Sequence, residues 1–392
     1  MRSLIVTHRV VTNDGQGRVN YEIVRALLAA GHSVTVLGSR IEETLLAHPR
    51  LRFVRIRESW LPTRLVKYQV FALRSGAWIA AHRGQFDLIH VNGFITWARA
   101  DVNSVHFVHD GWYRCGFYPI NLRQGAYAAY QLAFTRLNAW CEKRAVLAAR
   151  TVVPVSRKVA AEVQATGIAA QRLHVIHNGV DVDEFAPGPA GRERFGGPSS
   201  PSLLLFAGDL HVARKNLDAV LRALVSTPAH VHLVVAGGVG NCPYPALAAT
   251  LGVADRVHFV DFVRDMPVLM HSVDAFVFPS RYEAMSLVML EALASALPVV
   301  TVATAGGAEV IDSACGVVLE SPEDIDGLAA AISWLAADPA RARTMGAAAR
   351  ELAMSLSWEQ MAMRYLSLYE ELRRTQPPGK NGITHNAMSA TS

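Results

Sequence analysis

Short apolar runs alternate with longer stretches of helical spacing along most of the chain. Leu4–Thr7 is a run too brief for a helix. Val19–Ala30 places apolar residues three and four apart before Gly31, and Ser33–Leu37 is apolar again. That order predicts a strand, a helix closed by a glycine, and a second strand. Further strands are expected at Leu51–Ile56, Phe86–Asn92, Asn103–Val108 and Thr151–Val155. Pro187–Gly191 has linker composition. Beyond it the pattern restarts, with strands at Ser202–Phe206, His232–Ala236, Arg256–Val260, Asp274–Phe278 and Val299–Val302. Strands alternating with helices predict an α/β fold of two doubly wound, Rossmann-like parallel sheets. The expected organisation is a first domain over 1–187 and a second over 188–355. A terminal helix over 356–375 opens at Ser357-Trp358, and the tail 376–392 has disordered composition.

Charge changes this picture more than composition does. The formal net charge is +5, but residues 1–190 hold 23 Lys and Arg against 13 Asp and Glu, and the remainder 15 against 20. A basic first half suits an anionic partner, either a membrane headgroup layer or a phosphorylated acceptor. Basic and aromatic residues mix over Trp60–Phe71, Trp112–Arg114 and Tyr127–Trp140. Such stretches either meet a membrane interface or bury their aromatics and solvate their charges. No nucleic-acid-reading motif is present. Cys115, Cys141, Cys242 and Cys315 form no CxxC pair, which predicts a reducing compartment without zinc or disulfides. Met1–Thr7 enters a strand with no export signal. No apolar run reaches the roughly 20 residues a bilayer needs. A cytoplasmic chain is expected, soluble or peripheral on the inner face of the membrane.

Candidate chemistry concentrates in Phe278–Glu309. The turn Pro279–Tyr282 leads to Glu283, and a helix beginning near Met285–Leu287 carries Glu291. Pro298, an apolar strand and Gly306-Gly307 then precede Glu309. Unpaired N–H groups at a helix start suit a phosphate, and flanking carboxylates suit hydroxyl-bearing sugars on either side of a diphosphate. The bland alternative is a solvated glutamate at an ordinary strand–helix junction. Lys215, in a loop on the same sheet edge, is either solvated or placed to reach that diphosphate. In the first half, Gly15 and Gly17 permit close backbone approach to a ligand. As a dinucleotide fingerprint they fail at Asn20, and the second strand ends in Gly38-Ser39-Arg40 without an acidic residue. His109 and Asp110 follow a strand, where a histidine orients or deprotonates a hydroxyl. His106, by alternation, faces the other side, as a core or acceptor-side histidine. Asp181 and Asp183 occupy a turn before the linker and are read as turn residues, not metal ligands.

Together these residues resemble the retaining, nucleotide-sugar-dependent glycosyltransferases of family 4, with the GT-B architecture of two Rossmann-like domains facing a cleft. The matching positions are the Gly15/Gly17 loop, His90, His109, Val175–Phe185, Gly208 with Lys215, and Phe259–Pro267. Glu283-x7-Glu291, Gly306-Gly307-x-Glu309 and Trp358 complete them. The resemblance implies that Glu291 takes ribose hydroxyls and Glu283 the donor sugar. Backbone groups of Met285, Ser286 and Leu287 would bind the diphosphate, Lys215 would neutralise it, and Gly15 and Gly17 would cap it from the facing domain. Val263 joins the donor contacts. His109 would act beside the sugar, with His106, Asp110 and Trp112 as acceptor-side candidates. No metal or other cofactor is implied, the nucleotide sugar being a co-substrate. Two positions depart from the pattern. Asp209 stands where an Arg usually follows the glycine, with Arg214 as its substitute, and Ala284-Met285-Ser286 replaces Gly-Phe-Gly. The implied reaction moves a hexose from a nucleoside diphosphate sugar, expected to be a UDP-sugar, to a hydroxyl of an envelope glycan or lipid-linked acceptor. A UDP-sugar epimerase of the same architecture, and an NADP oxidoreductase resting on Gly15, Gly17 and Arg40, remain as alternatives.

Overall fold

The computed structural model describes residues 1–57, 63–120, 125–195 and 202–375. Strand Arg2–Val6 lies between Ser33–Gly38 and Leu88–Asn92. The sheet continues outward to Leu51–Arg55 on one side and to Val102–Val105 and Thr151–Pro154 on the other, parallel throughout. In order of occurrence the six strands run 3-2-1-4-5-6. The second sheet repeats that order with Val257–Val260, Val231–Ala236, Ser202–Ala207, Ala275–Phe278, Val299–Val302 and Gly316–Leu319. Helices cover both faces of such sheets, which is why the central strands are mostly apolar. In each sheet the winding reverses between the first and fourth strands, and a crevice opens beyond their carboxyl ends. Gly15 follows one such end in the first sheet; Gly208 and Glu283 follow both of those in the second.

Several boundaries differ from the sequence expectation, each for a local reason. The first helix begins at Gly15 rather than Val19, because the Asp14 carboxylate accepts the Gly17 N–H at 2.7 Å and caps it. The strand expected to reach Val108 stops at Val105, since its neighbour's pairing ends at Asn92 opposite Ser104. His106–Val108 is therefore loop. The basic, aromatic helix expected over Trp60–Phe71 runs Arg64–His82, capped by Thr63. Trp60 lies outside the described residues, as does the tail 376–392.

Helix Trp358–Arg374 packs against helix Gly15–Ala29 and buries Trp358, Met361, Tyr365 and Tyr369 with Val19 and Ile23. Its two tyrosines meet the first sheet. The Tyr369 hydroxyl lies 2.6 Å from His90 Nδ1, and the Tyr365 hydroxyl lies 2.9 Å from Ser104 Oγ, itself 2.7 Å from His90 Nε2. His90 sits inside its strand, as the apolar run Phe86–Asn92 predicted, and is fully buried. Burial and neighbouring His106 push its pKa down to about 3, so it is a neutral anchor for the terminal helix. Among the described residues no helix is long and apolar enough to cross a membrane.

Candidate active site

The second sheet's switch point assembles three charged side chains from distant loops. The turn Ala213–Lys215 follows the first strand, and Glu283 follows the fourth. Asn216 stitches the loops together: it adopts a left-handed φ of 65° and donates its Nδ2 to the carbonyls of Pro279 and Pro322. Lys215 Nζ then reaches Glu283 Oε2 at 2.5 Å, and Arg214 Nη1 reaches the same oxygen at 2.8 Å. Gly306 fixes the glutamate's backbone from the other side, donating its N–H to the Glu283 carbonyl at 2.8 Å. A Cβ at Gly306 would collide with the Ala284 carbonyl, so the close approach requires glycine.

Helix Leu287–Ala294 starts just after Glu283. Its N-cap, Ser286, makes no side-chain capping bond, which leaves the first-turn N–H groups without a side-chain acceptor. Gly15, the first residue of its own helix, faces Leu287: a Cβ there would lie 3.9 Å from Leu287 Cδ1. Two helix N-termini thus converge from opposite domains, a favourable field for an anion. They border a cavity of about 880 Å³ that Gly208, Asp209, Val263 and Glu291 also line. Gly237 contributes to its floor and must be glycine, because its φ is 153° and a Cβ would strike the Gly208 carbonyl.

Glu291 has no hydrogen-bond or ion-pair partner among the described residues. Burial and the nearby Glu184 raise its pKa to about 7, against the pull of Arg18. Arg18 lines the same cavity, bridging Glu22 at 2.9 Å and Asp181 at 3.2 Å. Asp209 turns to His211, accepting its N–H at 3.0 Å. Gly17, the third residue of its helix, packs on Val11 instead of lining the cavity. Glu283, Lys215, Arg214, Met285 and Ser286 lie beside the cavity without lining it.

Across the cleft, helix His109–Arg114 begins at His109. Its backbone N–H donates to Glu142 Oε2 at 2.9 Å, and its Nδ1 lies 2.6 Å from Glu142 Oε1. Phe107 joins the two clusters, 5.2 Å from the His109 ring centre and 5.7 Å from the Arg214 guanidinium carbon. His106 is not brought to the site. It pairs with Asn92 Oδ1 at 3.2 Å, does not line the cavity, and burial pushes its pKa down to about 4. Trp112 packs on Tyr282, 5.7 Å between ring centres, and Asp110 pairs with Arg114 at 3.0 Å.

The model of Glycosyltransferase Family 4 matches residues 13–184, and that of Glycosyl transferases group 1 matches 201–338. A D-inositol 3-phosphate glycosyltransferase of Geodermatophilus obscurus is 30% identical, over 79% of this chain and 71% of that protein. The chain belongs to glycosyltransferase family 4. A protein of the same description from Xylanimonas cellulosilytica is 29% identical over 93% of this chain and 94% of its own. Among solved structures, sucrose-phosphate synthase from Thermosynechococcus elongatus superposes with a TM-score of 0.79 at 22% identity, covering 96% of this chain and all of that one. The Anabaena protein HepE, in complex with UDP-glucose, gives 0.70 at 18% identity over 95% of this chain and all of its own. Both have the two-domain GT-B fold seen here.

The family 4 glycosyltransferase also carries contacts that its sequence did not announce. The Tyr282 hydroxyl crosses the cleft, lying 2.7 Å from Glu162 Oε2 and 3.0 Å from the Val108 carbonyl oxygen. Lys158 pairs with Glu162 at 2.6 Å and stands 3.7 Å above the Tyr282 ring. Glu309 accepts the N–H groups of Arg157 and Lys158 and lies 2.7 Å from His177 Nε2. Burial pushes Glu309 up, but these donors outweigh it and hold its pKa below the usual range. Tyr282 was the one partner with a local signal, its place beside Glu283; Glu142 and Glu162 had none.

Proposed function

We propose that this glycosyltransferase moves a hexose from a UDP-sugar to a hydroxyl of an envelope glycan or lipid-linked sugar, with retention at the anomeric carbon. The observation that carries the reading is the convergence of Lys215 and Arg214 on Glu283, beside a cavity where two helix N-termini meet. A departing nucleoside diphosphate needs fixed donors and cations where its charge develops. Lys215, Arg214 and the free N–H groups after Ser286 supply them. When the cations turn to the diphosphate, Glu283 is released to accept hydroxyls of the donor sugar, while Glu291 accepts those of the ribose. His109, held at Nδ1 by Glu142, keeps Nε2 for a sugar hydroxyl beside the reacting carbon. The bond from the anomeric carbon to the diphosphate oxygen breaks as the acceptor oxygen bonds on the same face. The acceptor proton passes to the departing diphosphate. The UDP-glucose complex of HepE supports a nucleotide-sugar donor, and the names of the relatives support glycosyl transfer.

A peripheral membrane position also belongs to this reading. Trp97, Trp140, Tyr127 and Leu73 are exposed on the basic first domain, and Arg144 lies over both tryptophan rings. Aromatic and cationic side chains side by side suit an anionic lipid surface. The test of the reaction is a panel of UDP-, GDP- and ADP-sugars, scored for nucleotide release with and without acceptors. Release that requires an acceptor and yields the retained anomer is expected. Conversion of the donor sugar to an epimer without acceptor would instead establish the epimerase.

A further inference from the structure

The segment that leaves the first sheet meets three other elements in three consecutive residues. Ile176 still pairs with that sheet, its N–H donating to the Pro154 carbonyl at 3.1 Å. The next residue, His177, lies 2.7 Å from Glu309 of the second domain. Asn178 follows, buried against Met285 just before helix Leu287–Ala294. Gly179 then packs on Trp358 of the terminal helix so closely that a Cβ would collide with the Trp358 backbone. With both flanks fixed in this way, Asn178 has little freedom to move relative to Met285.

The Asn178 amide acts on a single peptide. Its Nδ2 donates to the Met285 carbonyl and its backbone N–H donates to Met285 Sδ, both at 3.4 Å. A carbonyl only accepts, so Nδ2 is the atom that faces it, and Oδ1 is left buried without a partner among the described residues. The Met285 carbonyl and the Ser286 N–H belong to one planar trans peptide, in which they point in opposite directions. Holding the carbonyl toward Asn178 therefore turns the Ser286 N–H away from it. That N–H has no hydrogen-bond partner among the described residues, although Ser286 is buried. A buried backbone donor without a partner is costly, and an anion bound at this helix start would satisfy it. The next residue, Leu287, lines the nucleotide cavity.

We infer that Asn178 is a positioning residue for the diphosphate: it fixes the Met285–Ser286 peptide from the segment entering the second domain, and so aims the Ser286 N–H at the bound anion. The identity of that anion rests on the transferase reading; the contact between Asn178 and Met285 does not. The test is equilibrium binding to the full chain of UDP, by calorimetry, and of uridine, which lacks the diphosphate, by ligand-observed NMR. In Asn178→Ala, and in Asn178→Leu, which restores the lost volume, UDP binds about tenfold more weakly and uridine is unchanged. His177→Gln loosens the neighbouring contact with Glu309 without touching the Met285–Ser286 peptide, and it keeps the wild-type ratio of UDP to uridine affinity. Equal losses for UDP and uridine in the Asn178 variants would show a merely structural residue and overturn the positioning role. Unchanged UDP affinity in both of them, or the same change of ratio in His177→Gln, would overturn it too and leave the diphosphate reading in place. A wild-type chain that binds UDP no better than uridine would overturn the diphosphate reading itself, and this inference with it.

Discussion

Lys215 Nζ stands 2.5 Å from Glu283 Oε2, and the contact couples a buried cation to a buried carboxylate. Burial pushes Glu283 up, but Lys215 and Arg214 override it and hold its pKa below the usual carboxylate range. Burial likewise pulls Lys215 down, with Glu283 opposing and Arg214 adding to the fall. On the proposed reading, Glu283 is the counter-ion that a diphosphate replaces. Lys215→Ala should lower kcat by about 10² to 10³, read from steady-state nucleotide release. Glu283→Gln leaves two cations side by side, so Lys215 loses its proton at lower pH. The alkaline limb of the rate profile should move down accordingly. Turnover and profile unchanged in both variants would remove the pair from the chemistry.

Glu291 titrates in the opposite sense. Its folded pKa, raised to about 7 by burial and Glu184, lies above the value expected of an unfolded glutamate. Its contribution to stability is therefore present in acid and lost as pH rises through about 7. Glu291→Gln should raise the thermal midpoint at pH 8 and leave it nearly unchanged near pH 4. On the proposed reading ribose hydroxyls donate to the ionised carboxylate, so UDP binding below neutrality should release a proton. Binding heats measured in buffers of different ionisation enthalpy would show it, and the Gln variant should release none.

The two winding patterns were legible because strand and helix periods are local properties. The apolar runs at Ser202–Phe206 and Asp274–Phe278 by themselves put Lys215 and Glu283 on one sheet edge. Element ends were less legible, since they depend on partners: Asp14 moved one helix start, and the end of a neighbouring strand moved His106 into a loop. The polar partners were hidden altogether. Glu142 is 33 residues from His109, Glu162 is 120 from Tyr282, and Tyr369 is 279 from His90. No periodicity links positions so far apart, so nothing local announced that His90 anchors the terminal helix.

That anchor makes a stability prediction. Tyr369→Phe leaves His90 Nδ1 buried without its partner, at a cost of about 1–3 kcal/mol. The urea midpoint should fall, while kcat of the folded enzyme should hold. A matching loss of kcat would mean that His90 acts in catalysis after all.

Membrane docking through the aromatic face predicts sedimentation with anionic vesicles that weakens as salt rises. Arg144, stacked on Trp97 and Trp140, should contribute about 1 kcal/mol, so Arg144→Gln reduces partitioning roughly fivefold. Binding that ignores salt and vesicle charge would exclude this surface.

Tyr282 ties the closed cleft shut, and its hydroxyl is held protonated because burial and Glu162 push its pKa far up. Tyr282→Phe keeps the ring beneath Lys158 but deletes the bond to Glu162 and the contact with the Val108 carbonyl. Loss of one charge-assisted hydrogen bond between domains costs about 1.5–3 kcal/mol, shared between closure and other contacts. The variant should therefore sample open arrangements more often, with a larger radius of gyration in solution scattering that shrinks when UDP is added. KM for the donor should rise several-fold with a smaller change in kcat, because the chemistry follows closure and does not touch Tyr282. A radius unchanged by the substitution, together with wild-type KM, would show that Glu309 and the surrounding apolar contacts close the cleft without it.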